Sequence, residues 1–196
     1  MQQFSTLTIN LTNQQIESSL VKIKAGLAKY LAIQKRFNEL EGQPIHSDDN
    51  FKKSVNGFYR IRQKPATWYA TFYKLLDDSR STKPDFATVL HELSKATNRF
   101  EVSFASKLLA TIDPQMPVID SVVLKYLNVK IPARKGENYQ ERHDAVCALH
   151  SAMSRCYMDY LASEQGQRLI TQFRQTYPKA DISTVKMLDL VLWQTR

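Results

Sequence analysis

Glycine is scarce in this chain, 5 of 196 residues, and there are only 7 prolines. So few turn-formers do not suit a sandwich or barrel of many short strands; they favour long helices joined by few loops. Cysteine is scarcer still. Cys147 and Cys156 are nine positions apart. On one helix that is about two and a half turns, so the two thiols face opposite ways and cannot bridge. A disulfide scaffold is excluded, and free thiols fit a reducing compartment. No apolar run approaches the length of a membrane span. The first ten residues lack the basic segment and apolar run of a secretory leader, so a cytosolic protein is expected, nucleoid-associated if bacterial. Also missing are a glycine-rich phosphate loop, a serine nucleophile elbow and a Cys-x-x-Cys pair, which makes nucleotide hydrolases and zinc ribbons poor candidates.

What is present is apolar enough to fold, at 43% hydrophobic, and basic, with a net charge of +8. An excess of Lys and Arg favours polyanionic partners, nucleic acid first. Helical periodicity runs through most of the chain. Ile16, Leu20, Ile23, Leu27, Tyr30 and Phe37 form one stripe of a long first helix with Asn13 as its cap, ending near Gly42-Gln43-Pro44. Ser47 caps a second helix to about Arg60. Pro65 starts a third, carrying Trp68, Tyr69, Phe72, Tyr73 and Leu76, which the charged stretch Asp77 to Pro84 breaks. Asp85 opens a fourth. Asn98 and Glu101 have capping-box spacing for a fifth, with Phe104, Ala105, Leu108, Leu109 and Ile112 on one face. Further helices follow after Asp120, over about 138–164, 166–176 and 182–194. Residues 4–10 read as a short strand or an extended arm. The expected architecture is one all-α domain over 1–196, with residues 1–45 as its N-terminal helix or an extension.

The most informative stretch is Ser103 to Leu127. A helix runs into a loop bracketed by Pro114 and Pro117, which delivers Asp120 to the start of the next helix. Asp is a frequent helix cap, so a purely structural role accounts for it. The same geometry keeps a carboxylate ionised, because amide donors and the helix dipole favour the anion. An ionised carboxylate beside a groove can stabilise an oxocarbenium-like sugar or orient a water.

On these residues the segment from Asn98 to Leu127 resembles the helix-hairpin-helix DNA glycosylase superfamily, the fold of endonuclease III and the 8-oxoguanine glycosylases. Pro117-Val118-Ile119-Asp120-Ser121-Val122-Val123 stands where that family has a Val-Asp-Thr-like tripeptide with the catalytic Asp. Phe104-Ala105-Ser106-Lys107-Leu108-Leu109 resembles its second hairpin helix. Val185 to Trp193 resembles the closing helix of divergent members. The resemblance implies a compact multi-helix domain, duplex DNA as partner, and cleavage of the N-glycosidic bond of a damaged or modified base by Asp120. Two departures qualify it. The family hairpin carries glycines that let amides approach a phosphate. This chain has Thr97-Asn98-Arg99-Phe100-Glu101 there, so either Asn98 and Arg99 replace those contacts or the grip differs. The nucleophilic lysine of bifunctional members has no counterpart among Glu101, Val102 and Ser103. The implied activity is therefore monofunctional, with water as nucleophile.

The candidate DNA contacts are Asn98, Arg99, Ser103 and Lys107 on the hairpin, Ser121 and Lys125 after Asp120, Arg60 and Arg62 (with Lys64) at the end of the second helix, and Lys130, Arg134 and Lys135 in the loop that follows. Each of these charges equally suits a solvated face. The aromatics from Phe58 to Tyr73 have the spacing of a core. His143, Cys147 and His150 share a helical face, but three ligands on one straight helix converge poorly, so no metal and no cofactor is expected. Two other readings remain beside the enzyme: a catalytically inactive DNA-binding module on the same scaffold, and a helical protein-interaction adaptor whose charge is incidental.

Overall fold

A computed structural model describes residue 4 and residues 7–132 and 138–195. Among the described residues the chain forms nine α-helices, one 3-10 turn and no strand. The all-α expectation therefore holds. No described helix is long and apolar enough to cross a membrane. The helices are α1 (Asn13–Glu39), α2 (Asp49–Tyr59), α3 (Ala66–Thr82), α4 (Phe86–Thr97), α5 (Val102–Ile112), α6 (Ser121–Tyr126), α7 (Tyr139–Ala162), α8 (Glu164–Thr176) and α9 (Thr184–Leu192), with the 3-10 turn at Ile45–Ser47. They group into two units. One comprises residues 1–23 and 114–196, the other residues 24–113.

The 24–113 unit contains most of α1 together with α2 to α5. The stripe read from the sequence is its seed: Leu27 and Tyr30 are buried and Phe37 is half-buried, with Ile33 buried beside them. Phe51, Val55, Phe72, Tyr73, Leu76, Leu90, Leu93 and Leu108 join them. Trp68 and Phe72 stack with ring centroids 5.2 Å apart. The aromatic block is thus core, as its spacing indicated. Arg80 closes α1. Its guanidinium donates to the carbonyls of Leu40 at 2.8 Å, Phe37 at 3.0 Å and Gln43 at 3.2 Å. A cation there satisfies carbonyls that have no partner within the helix.

The boundaries of α2 and α3 differ from expectation. Asp48, not Ser47, caps α2, accepting from the Phe51 amide at 2.6 Å. The stretch from Asp77 does not break α3, which runs on to Thr82. Asp77 accepts from the amides of Ile45 at 2.8 Å and His46 at 2.9 Å, and Asp78 pairs with Lys74 one turn earlier. Tertiary partners and an i,i+4 pair support a segment whose composition suggested a loop.

The other unit starts with an extended segment, residues 7–11, and the N-terminal turns of α1. Thr12, not Asn13, caps α1. The Gln15 amide donates to Thr12 Oγ1 at 3.2 Å while Gln15 Oε1 accepts from the Thr12 amide at 2.9 Å. That is a reciprocal capping box. α7 carries Asn138 as its own box with Glu141. α8 approaches α7 so closely that a Cβ on Gly166 would lie 2.0 Å from the Tyr160 carbonyl oxygen. Only glycine fits there.

α9 is buried on every side, from Val185 through Leu192. It nevertheless carries Lys186 and Asp189, both 0% exposed. Lys186 Nζ donates to Asp189 Oδ2 at 2.8 Å, and Tyr157 Oη donates to Asp189 Oδ1 at 2.8 Å. Each carboxylate oxygen thus has a donor, which is the condition for burying the charge. The pair is a point of vulnerability. Asp189→Ala strands a buried ammonium and is expected to cost about 3–5 kcal/mol in urea unfolding, whereas the double variant Lys186→Met with Asp189→Leu costs much less. Equal losses in the two variants would show that the charge pairing is not what matters.

Candidate functional site

The boundary between the units falls at Asp113 and Pro114, inside the Asn98–Leu127 motif. The hairpin and the Asp120 loop therefore belong to different units, and each has its own geometry.

In the hairpin, α4 starts at Asp85, whose carboxylate accepts from the Thr88 amide at 2.8 Å. It ends at Asn98 in the left-handed conformation, φ 51° and ψ 35°, with the Asn98 and Arg99 amides both donating to the Ser94 carbonyl. Asn tolerates this region better than other non-glycine residues. The turn that glycine would normally make is made here by Asn98. Asn98 therefore ends α4 and does not cap α5. Position 101 is the N-cap of α5, but its carboxylate does not cap. Glu101 Oε1 instead accepts from Lys64 Nζ at 2.7 Å and Trp68 Nε1 at 3.0 Å. The expected capping box is absent because a lysine and an indole from α3 and its approach have taken the carboxylate.

That contact joins two loops. α2 ends at Arg60, itself left-handed at φ 55°, and the following loop is anchored by Ile61, 2% exposed. Gln63 is also left-handed, φ 57°. Lys64 lies 4.8 Å from the Trp68 ring centroid and 4.5 Å from that of Phe104. Its charge is spent on Glu101 and two aromatic faces. Arg60, Arg62, Asn98 and Arg99 remain exposed, and none of the three arginines has an ion-pair partner among the described residues. Lys95, exposed on the last turn of α4, adds a fourth such cation that the sequence reading passed over. Its place one turn before Arg99 was the available signal. Ser103 is half-buried. Lys107 does not belong to this surface: it is 8% exposed, with Nζ 5.2 Å from the Phe104 ring.

In the other unit the Pro-bracketed loop is tightly held. Val118 and Ile119 are 0% exposed. The Ser183 hydroxyl donates to the Pro114 carbonyl at 2.5 Å, and the His150 imidazole hydrogen-bonds the Pro117 carbonyl. This fixed loop ends in Asp120, half-buried, whose Oδ1 accepts from the Val122 amide at 2.8 Å. Asp120 is the N-cap of α6 as read from the sequence, although α6 has only six residues and a correspondingly small dipole. Asp120 and Asp189 both act on the fully buried Tyr157. Its phenol is held far above its ordinary range, by burial first, then by Asp189, with a smaller contribution from Asp120. Ser121, Lys125 and Lys130 are exposed. Arg134 and Lys135 lie outside the described residues.

His143 and Cys147 approach each other, Sγ to Nδ1 at 3.8 Å, but His150 is turned to Pro117. No group of three potential ligands converges among the described residues. Both thiols are free. No model of a protein family matches the chain, and neither a curated protein nor a solved structure does.

Burial pushes the His150 imidazole down to about 4 from its ordinary 6.5, more than its bond to Pro117 raises it. The unfolded chain therefore takes up this proton at a higher pH than the folded chain does. The stabilisation is complete above about pH 6.5 and is lost as the pH falls towards 4, by up to about 3 kcal/mol. Chemical unfolding of the wild type and His150→Gln at pH 7 and pH 4.5 measures it. The wild type should lose more stability than the variant over that interval, and parallel losses would rule His150 out.

Proposed function

We propose that this protein binds nucleic acid through the Arg60–Lys64 loop and the α4–α5 turn. The observation that carries the reading is the contact of Lys64 and Trp68 with Glu101. It pairs the Glu101 carboxylate and joins the loops that carry Arg60, Arg62 and Arg99, which have no ion-pair partner among the described residues. Three exposed guanidiniums on joined loops, with Lys95 nearby, suit a phosphate backbone, since guanidinium matches phosphate geometry and each contact releases counterions. Asn98 completes the turn without glycine, so the grip relies on side chains more than on amides. This favours duplex DNA held by its backbone, as the resemblance implies.

A second reading concerns Asp120 and rests on its own observation: a half-exposed carboxylate at the end of a loop fixed by His150 and Ser183. In a monofunctional glycosylase such a group stabilises the sugar cation and orients a water. The water oxygen bonds to C1′ and releases a proton to solvent, the glycosidic bond breaks with its electron pair leaving on the base, and solvent protonates the departing base. The Val122 amide holds Oδ1, leaving Oδ2 for that work. Failing this chemistry, the scaffold is a binding module. Failing DNA binding, it is a protein-interaction adaptor.

Fluorescence anisotropy with a labelled duplex separates these. Binding should weaken steeply between 50 and 200 mM salt, and replacing Arg60, Arg62 and Arg99 by alanine should flatten the slope of log K against log salt by about 0.9 for each lost contact. Salt-independent or absent binding defeats the nucleic-acid reading. On duplexes carrying deaminated, oxidised or alkylated bases, Asp120→Asn should abolish base release with DNA affinity kept. No release by the wild-type protein from any of them leaves the binding module standing and removes the enzyme.

A further inference from the structure

A pocket of about 470 Å³ lies within the 1–23/114–196 unit, between the extended segment and the C-terminal turns of α7. Its apolar wall is made by Leu7, Ile9, Leu11, Cys156 and Tyr160. All but Leu7 are nearly buried, from 4% to 6% exposed. Hydrogen bonds hold the C-terminal end of the segment. The Asn10 amide donates to Tyr126 Oη at 3.2 Å, and Gln165 Nε2 donates to the Leu11 carbonyl at 3.0 Å and to Asn13 Oδ1 at 2.9 Å. The amides and carbonyls of Leu7, Thr8 and Ile9 have no hydrogen bond among the described residues. Tyr160 Oη is enclosed and has no partner there either.

The charge of the lining is the second observation. In a chain of net charge +8, Asp159 is the only charged residue lining this pocket among the described residues, an exposed carboxylate with no ion-pair partner among them. Phosphates and carboxylates are repelled by such a site. An ammonium gains a charge-assisted hydrogen bond to Asp159 and can use the spare carbonyls of the segment. The volume is that of a small-molecule site, and Thr8, Asn10, Thr12, Ser163 and Gln165 add polar groups beside the apolar wall.

The geometry points to a binding site for a small organic amine, an apolar body packed on Ile9, Leu11 and Tyr160 with its ammonium at Asp159. This is independent of the nucleic-acid reading, whose loops lie in the other unit. The test is a titration of the full-length, isotope-labelled protein, followed by amide resonances, with three probes of one shape: 2-phenylethylamine, 2-phenylethanol and phenylacetate. The amine should shift the Leu7–Leu11, Cys156 and Tyr160 amides in a saturable way, at least about fivefold more tightly than the alcohol, and the acid should not bind. Asp159→Asn, a surface change that leaves packing intact, should bring the amine down to the affinity of the alcohol. Ile9→Trp should fill the pocket and abolish binding by both. Equal affinity for all three probes, an unaltered amine affinity in Asp159→Asn, shifts confined to other residues, or no shifts at all would each overturn the proposal.

Discussion

Each unit of this protein is built around a carboxylate removed from water. An isolated carboxylate in that position is too costly to retain, so partners are obligatory. Both units meet the demand in the same way, with one lysine and one donor from an aromatic ring. Glu101 receives Lys64 and the Trp68 indole. Asp189 receives Lys186 and the Tyr157 hydroxyl. Such arrangements add little net stability compared with apolar packing, but any alternative packing that separates the partners is heavily penalised.

The consequences differ between the units. Around Glu101 the neutralised pair joins two loops whose arginines have no ion-pair partner among the described residues. The positive surface is therefore a product of the buried contact as much as of composition. Around Asp189 the network lies close enough to the Asp120 loop for the Asp120 charge to be felt at Tyr157. Asp120 itself is positioned from outside that network, by two carbonyl anchors and the Val122 amide. Its chain direction and its carboxylate orientation have separate causes.

How much of this could be read from the residues depends on the range of the interaction. Stripes such as Ile16, Leu20, Ile23 and Leu27 identify helices because a helix repeats locally, and the caps at Asp85 and Asp120 are equally local. Apart from one-residue shifts of the caps to Thr12 and Asp48, the errors come from longer range. Asn98 and Glu101 satisfy a capping box on spacing, yet Lys64, 37 positions away, takes the glutamate. Asp77 and Asp78 look like a loop until the amides of Ile45 and His46 are supplied. Lys107 reads as a surface cation, and its long apolar stem lets it lie against Phe104 inside the fold. Lys186 was read only as part of a closing helix, because nothing in a nine-residue helix announces that every side is covered. Asp120 was found because its evidence, a Pro-bracketed loop before an apolar helix, lies within a few residues of it.

The central claim is that Glu101 and its two partners hold a pair of loops as one phosphate-binding surface. Mapping amide resonances of the labelled protein during titration with a short unmodified duplex tests it directly. The account predicts that the shifts concentrate at Arg60 to Gln63 and Lys95 to Arg99, and that both groups follow one binding curve. Shifts that leave these two loops untouched, or that move one loop without the other, would contradict it.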